Sequence, residues 1–389
     1  MKETTLDQLH IFITMFIISL IMSVQGPIFT PYAAMLGASS VMIGIMLSTS
    51  QLASLTGNLI VGPLVDRYGK RLFITLPLLL SGFLYIAHGF TATSTSLLAL
   101  RSMNSFVLAF LMPAALTFIS GYAANRRQQG KNMAIIGILG MIANIVAPLI
   151  GGKLGATIGY ANTYVVIGSA LLFIAIYTMI FLRDRQMLLV NRKTSKPTHF
   201  FHVFKSPQLQ LVYLTGFAVM YIHGVIIYEI PYLTVEQGIS TMNTGQLFSF
   251  MAIGTLLSLS LFFIHRFDPI NRMMVGLFLM CISLSVFFNG LLSLPIFLFS
   301  MGICFGLTMP AAATAVTGAV RKEEHGRAFG VMSAVYSLGM IISSFMTAVI
   351  RQIISPYFIA FLVGMCFLTL IGYLKFRTPK SRSVEVERY

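Results

Sequence analysis

Apolar runs of about twenty residues, the length needed to cross a bilayer core, recur from one end of this chain to the other, and that pattern limits its fold more than any single motif. Hydrophobic residues make up 57% of the chain and charged residues 10%, too little charge to solvate the surface of a water-soluble fold this long. In lipid every backbone N–H and C=O must be bonded within the protein, which leaves helices or a closed barrel. A barrel would show short segments of alternating polarity, and these runs do not alternate. The expected fold class is therefore an all-α polytopic membrane protein. Twelve spans are expected, at 9–34, 41–64, 72–91, 95–121, 131–154 and 161–182 in the first half, and at 209–235, 242–265, 272–291, 294–319, 327–350 and 354–375 in the second.

The formal charge of +15 would suggest nucleic acid for a soluble protein. Here the basic residues fall in alternate loops: Arg67, Lys70 and Arg71; Arg126, Arg127 and Lys131; Arg183 through Lys205; Arg266 and Arg272; Arg321, Lys322 and Arg327; and a tail from Lys375 to Arg388. The intervening loops, such as 91–96, are almost uncharged, and only Arg101, Lys153 and Arg351 break the pattern. This asymmetry follows the positive-inside rule and places both termini in the cytoplasm of a multi-pass cell-membrane protein, with no nucleic-acid partner. The first apolar run is too long for a signal peptide. Cys281, Cys304 and Cys366 all lie in apolar runs and read as small hydrophobes rather than disulfide partners. The chain has no His-Glu-x-x-His and no pair of acids at membrane depth, so neither an enzyme nor a metal or cofactor site is expected.

The chain also repeats itself. Met112-Pro113-Ala114-Ala115 and Met309-Pro310-Ala311-Ala312 lie half a chain apart, each followed by a basic loop. Secondary transporters are commonly built from such duplications, with the substrate path between the halves. The expected organisation is an N-terminal six-helix bundle over 1–182, a cytoplasmic linker over 183–208 and a C-terminal six-helix bundle over 209–389. Pro113 and Pro310, at equivalent places, predict matched kinks around a central path.

The loop after the second span reads Gly62-Pro63-Leu64-Val65-Asp66-Arg67-Tyr68-Gly69-Lys70-Arg71. Gly62 lets another helix approach closely, Asp66 ends the span where it can pair with an arginine or a helix N-terminus, and Gly69 permits a tight turn. Breaking and remaking such a charge contact would latch one of two global states; otherwise the loop is basic simply to fix topology. The segment resembles the loop signature of the major facilitator superfamily, and 265–272 reads as a worn second copy. The resemblance covers the whole chain and implies two pseudo-symmetric six-helix bundles. Arg101, inside the fourth span, matches the fourth-helix arginine of the family's proton antiporters; a charge there costs several kcal/mol unless paired, hydrated or snorkelling outward. The fifth span, with Ala143, Ala147, Pro148, Gly151 and Gly152, resembles the family's exporter signature. Together these imply efflux of drug-like compounds by proton antiport, with gating by Gly62, Asp66, Arg67, Gly69 and Arg71.

Glu229 is the one carboxylate well inside an expected span. A carboxyl whose hydration changes between two states can gain and lose a proton in each cycle, which makes Glu229 and Arg101 the candidates for proton coupling; alternatively Glu229 simply reaches water at the outer end. His223 can relay protons or bond helices together. Gln25, Gln51, Asn58, Asn104, Asn144 and Tyr232 are further candidates for the substrate path. No acid lies in the first span, so with Arg101 inside, an anionic siderophore or metallophore fits the charge as well as a drug does. A sugar or metabolite importer of the same fold is a third reading. The partners expected are a small molecule, protons and the bilayer, for a monomer driven by the proton gradient alone.

Overall fold

The computed structural model describes residues 3–68, 71–121, 126–182, 206–261, 266–320 and 324–377. They form fourteen helices: α1 (Glu3–Val24), α2 (Phe29–Met35), α3 (Ser40–Tyr68), α4 (Leu72–Gly89), α5 (Ser94–Leu108), α6 (Leu111–Gly121), α7 (Arg126–Ile158), α8 (Tyr160–Phe181), α9 (Pro207–Glu236), α10 (Thr241–Ser260), α11 (Pro269–Phe288), α12 (Leu294–Ala319), α13 (His325–Ile350) and α14 (Pro356–Arg377). Nine spans among the described residues are long and apolar enough to cross a membrane, one of them running from α5 into α6; α1 and α2, bent by 43°, make a tenth. The other two helices, α3 and α10, are 29 and 20 residues long, and are made more polar by Gln51 and Asn58 and by Asn243 and Gln246. With each broken pair counted as one span, the helices number twelve, as the sequence predicts.

The two breaks have local causes. Between α1 and α2 lie Gly26 and Pro27, the one a poor helix former and the other unable to donate a backbone bond. Between α5 and α6, the ring of Pro113 disfavours the carbonyl four residues earlier, and the Phe110 N–H turns to the Val107 carbonyl at 3.2 Å. The expected kink at Pro310 does not break its helix: α12 runs unbroken from 294 to 319. The two helices also differ in which partner of the contact supplies the glycines: Gly57 of α3 meets Ala109 and the Phe106 carbonyl in the first half, whereas α12 carries its own. A Cβ at Gly302 would stand 1.9 Å from the Met251 carbonyl oxygen, and one at Gly306 would stand 2.6 Å from the Thr255 carbonyl oxygen, so the backbones of α12 and α10 touch on either side of a full turn before the proline. The first half has Ser105 and Ala109 at the matching places, and its helix breaks there.

Packing follows the duplication. In the first half α1 lies on α7, α3 on α5, and α4 on both α5 and α8. In the second half the counterparts repeat: α9 on α13, α10 on α12, and α11 on both α12 and α14. Even the contacts that cross between halves come as a matched pair, α3 with α13 and α7 with α10, joined by α2 with α9. One-to-one correspondence of this kind is what a pseudo-twofold axis between two bundles produces. Each half has its own apolar core, around Tyr32, Tyr85, Tyr164 and Phe118 in the first and Phe297, Leu298, Met301 and Leu277 in the second.

A central cavity closed at one end

Among the described residues, the contacts that join the halves gather at the helix ends away from the basic loops. On one side, Gly44 of α3 faces Ala348 and the Ser344 carbonyl of α13, and the Ser48 hydroxyl donates to the Ile341 carbonyl at 2.8 Å. On the other, α7 and α10 touch backbone to backbone: a Cβ at Gly245 would lie 2.2 Å from the Pro148 carbonyl oxygen and one at Gly152 would lie 2.6 Å from that of Thr241. The Ser249 hydroxyl adds a 2.6 Å bond to the Ile145 carbonyl. Between these two seams the Tyr228 hydroxyl of α9 donates to the Ser40 carbonyl at 2.8 Å.

Below this closure lies a cavity of about 550 Å³ with two unlike walls. The first half contributes Ser23, Gln25, Gln51, Arg101 and Asn144 beside the apolar Met22, Leu47, Met141 and Pro148. The second contributes chiefly Met220, Met251, Met309, Met340, Phe248 and Phe305, together with His223 and Thr255. A smaller chamber of about 230 Å³ opens from it into the first half, sharing Met22, Gln25, Gln51 and Arg101, and continuing past Ser50, Ser54, Asn58 and Ser105. Among the described residues no carboxylate lines either space. The guanidinium of Arg101 donates to Gln25 Oε1 and lies 4.1 Å over the ring of Phe29, so a charge that is costly in a membrane is held by an amide and an aromatic face.

The candidates from the sequence therefore divide. Gln25, Gln51, Asn58, Arg101, Asn144 and His223 line the cavity system, the last with its ring edge-on to Phe305 at 4.5 Å between centroids. Asn144 accepts a 2.6 Å bond from Ser23, tying α7 to α1 at the cavity wall. Asn104 does not line it: 1% exposed, it accepts from Ser81 and fastens α5 to α4. In the exporter-like segment of α7, Ala147 is buried, Gly151 meets the Val24 carbonyl of α1, and Pro148 and Gly152 meet α10, so one short stretch serves two interfaces. Arg71 donates to the Met179 carbonyl near the end of α8. Gly62, Asp66 and Arg67 fall on α3 with their side chains outside the described residues, and Gly69 lies outside them altogether.

Glu229 stands apart from the cavity lining. It is 5% exposed and takes a hydrogen bond from Arg351 at the end of α13, Nε to Oε1 3.1 Å. Arg351 also reaches Glu236, Nη2 to Oε2 2.8 Å, and its guanidinium sits 3.8 Å over the ring of Tyr232. Tyr232 stacks on Tyr228 at 5.7 Å, and Tyr228 holds Ser40. A continuous line of contacts thus runs from the buried carboxylate to the seam between the halves. Arg351 is the functional candidate that sequence reasoning missed. Its signal was that it breaks the charge pattern at the same membrane face as Glu229.

The sequence matches the Major Facilitator Superfamily over residues 11–344, with a second match over 262–388. An uncharacterised transporter of this type from Methanocaldococcus jannaschii is 23% identical over 86% of this chain and 88% of its own. A multidrug resistance protein, MdtG, of a Rahnella species is 22% identical over 85% and 82%. A probable nitrate/nitrite transporter of Mycobacterium tuberculosis is 23% identical over 60% and 59%. Among solved structures, a bacterial homologue of the human lysosomal transporter Spinster, captured inward-facing and unoccupied, superposes with a TM-score of 0.78 at 16% identity, covering 96% of each chain. With its match over most of the sequence, its twelve helices and its paired bundles, this chain belongs to the Major Facilitator Superfamily and is a multi-pass secondary transporter, not an enzyme.

Proposed function

We propose that the protein exports small organic molecules across the cell membrane by proton antiport, as a monomer, with the bundles 1–182 and 209–389 rocking about the central cavity and 183–208 joining them on the cytoplasmic side. The basic loops mark the cytoplasmic face. The structure then corresponds to a state sealed toward the outside. The family resemblance of α7 to exporters and the relation to a multidrug resistance protein support efflux over import.

One observation carries the coupling: the buried pair of Glu229 and Arg351, connected through Tyr232 and Tyr228 to the outer seam. Parting the halves hydrates this pair from outside, where Glu229 takes a proton. Closing them restores a dry contact that only the carboxylate can make as an ion pair, and the proton is displaced toward the cavity, where His223 stands on the same helix. The membrane potential adds about 2.3 kcal/mol per charge moved across 100 mV. In this scheme Arg101 senses the cycle from the cavity, and Asp66, Arg67 and Arg71, with Gly62 and Gly69, serve the cytoplasmic gate.

The test is Glu229→Gln in proteoliposomes under an imposed pH gradient. Substrate movement driven by the gradient should be lost while expression and folding persist; full antiport by the variant removes Glu229 from the mechanism. The direction of flux in the same vesicles separates exporter from importer. Because Arg101 is the lone full charge lining the described cavity, an anionic cargo is favoured over a cationic drug.

A further inference from the structure

The two chambers differ in chemistry as well as size, and this difference specifies a cargo more narrowly than the fold does. The smaller one, about 230 Å³, is lined by three amides, three serine hydroxyls and one guanidinium, with Met22, Leu108, Ala109 and Met112 completing its wall. A guanidinium carries five N–H donors. Arg101 commits one of its hydrogen bonds to Gln25, and its buried Nε has no hydrogen-bond partner among the described residues. Among the described residues no acid lines the chamber to take the others. Tyr85, His88 and Tyr164, stacked on one another and within electrostatic reach of Arg101, bring no carboxylate, and among the described lining residues His223 is the titratable group on the far wall. The larger chamber, about 550 Å³, meets this polar recess with a wall of four methionines and two phenylalanines from the second half. Methionine side chains adapt to varied apolar shapes, and aromatic faces add contact area.

We propose that the cargo is an amphipathic monoanion: its headgroup enters the recess against Arg101, Gln25 and Gln51, and its apolar body lies on the methionine–phenylalanine wall. This rests on the reading of the central cavity as the substrate site and adds charge, count of charges and orientation. A cation would be repelled by a guanidinium that no described carboxylate neutralises. A second anionic group would have no further cation among the lining residues, which sets a chelator with several carboxylates apart from this site. The head is held by the first half and much of the body by the second, so parting the halves draws part of the apolar contact away from the head.

The experiment measures binding, not transport. The full chain in nanodiscs is titrated with a fluorescent dansylamino-undecanoate, with its neutral amide and with its trimethylammonium analogue, against empty nanodiscs; an alkyl phosphate of equal length competes to separate a carboxylate head from a phosphoryl head. The carboxylate should bind about tenfold more tightly than the other two, a difference on the scale of one charge-assisted contact. Arg101→Gln should erase that preference while leaving the neutral amide bound, which also shows that the variant is folded. Met251→Ser should weaken all three probes alike. Equal binding of cation and anion by the wild-type protein overturns the proposal without need of any variant, as does an unchanged preference in Arg101→Gln. A protein that prefers the anion yet exchanges no protons would sink the antiport reading alone, and one that antiports a cationic drug would sink this one alone.

Discussion

Glu229 and Arg351 show how much a residue pair can depend on a contact 122 positions apart in sequence. Each is conspicuous alone, the acid as the lone carboxylate deep in a span and the arginine as a base on the uncharged face, but their meeting depends on how α9 packs against α13. Removing one member of a buried pair leaves the other charge uncompensated and costs about 3–5 kcal/mol, whereas removing both is far milder. Arg351→Gln should therefore lower the melting temperature more than Glu229→Gln does, and the double variant should recover much of the loss. A thermal-shift cycle over the four proteins measures this. Additive losses would mean that the pair is held apart by water. Glu236 adds less, because it is 53% exposed and its charge is screened. Asn104 teaches the converse lesson. As a polar residue three positions after Arg101 it resembles a cavity residue, yet the turn of α5 points it at Ser81, and no pattern of polarity along one helix reveals which neighbour faces it.

At the scale of the element, the spans were legible because lipid forces a helix wherever the chain is apolar for long enough. α3 and α10 were legible as spans despite their amides because the apolar residues around those amides still extend to membrane length. The broken helices were not equally legible: Pro113 and Pro310 look alike in sequence, yet one lies just after a break and the other inside an unbroken helix packed on α10 through Gly302 and Gly306. Glycine at the seam between α7 and α10 makes a sharper prediction. A methyl group at Gly245 would fall 2.2 Å from the Pro148 backbone oxygen, a contact that no rotamer change relieves. Gly245→Ala should push α7 and α10 apart and shift the population toward the state open at the outer end. Gly330→Ala, with nothing within 4 Å, should not. Spin-label distances across the outer ends of α7 and α10 report the difference, and an unchanged distribution in Gly245→Ala would show that the seam yields elsewhere.

For the whole molecule, the duplicated Met-Pro-Ala-Ala segment pointed to two related bundles, and the alternating basic loops give them the orientation proposed above. Which end is closed was not legible, because the same sequence must close at either end in turn, and the chambers were not legible, because α1, α3 and α5 each supply only a few of their residues. The closed end can be tested as a mechanical claim. Ser48 and Ile341 touch across the halves, so cysteines placed at both, in a background with Cys281, Cys304 and Cys366 replaced, come within reach of a short bifunctional thiol reagent. The linked protein should retain binding of the anionic probe from the side of the basic loops, lose all transport, and regain transport when a reducible linker is cleaved. Transport that continues through the link would mean that α3 and α13 never part, and the seam would then be a static joint between the bundles rather than the gate that their rocking opens.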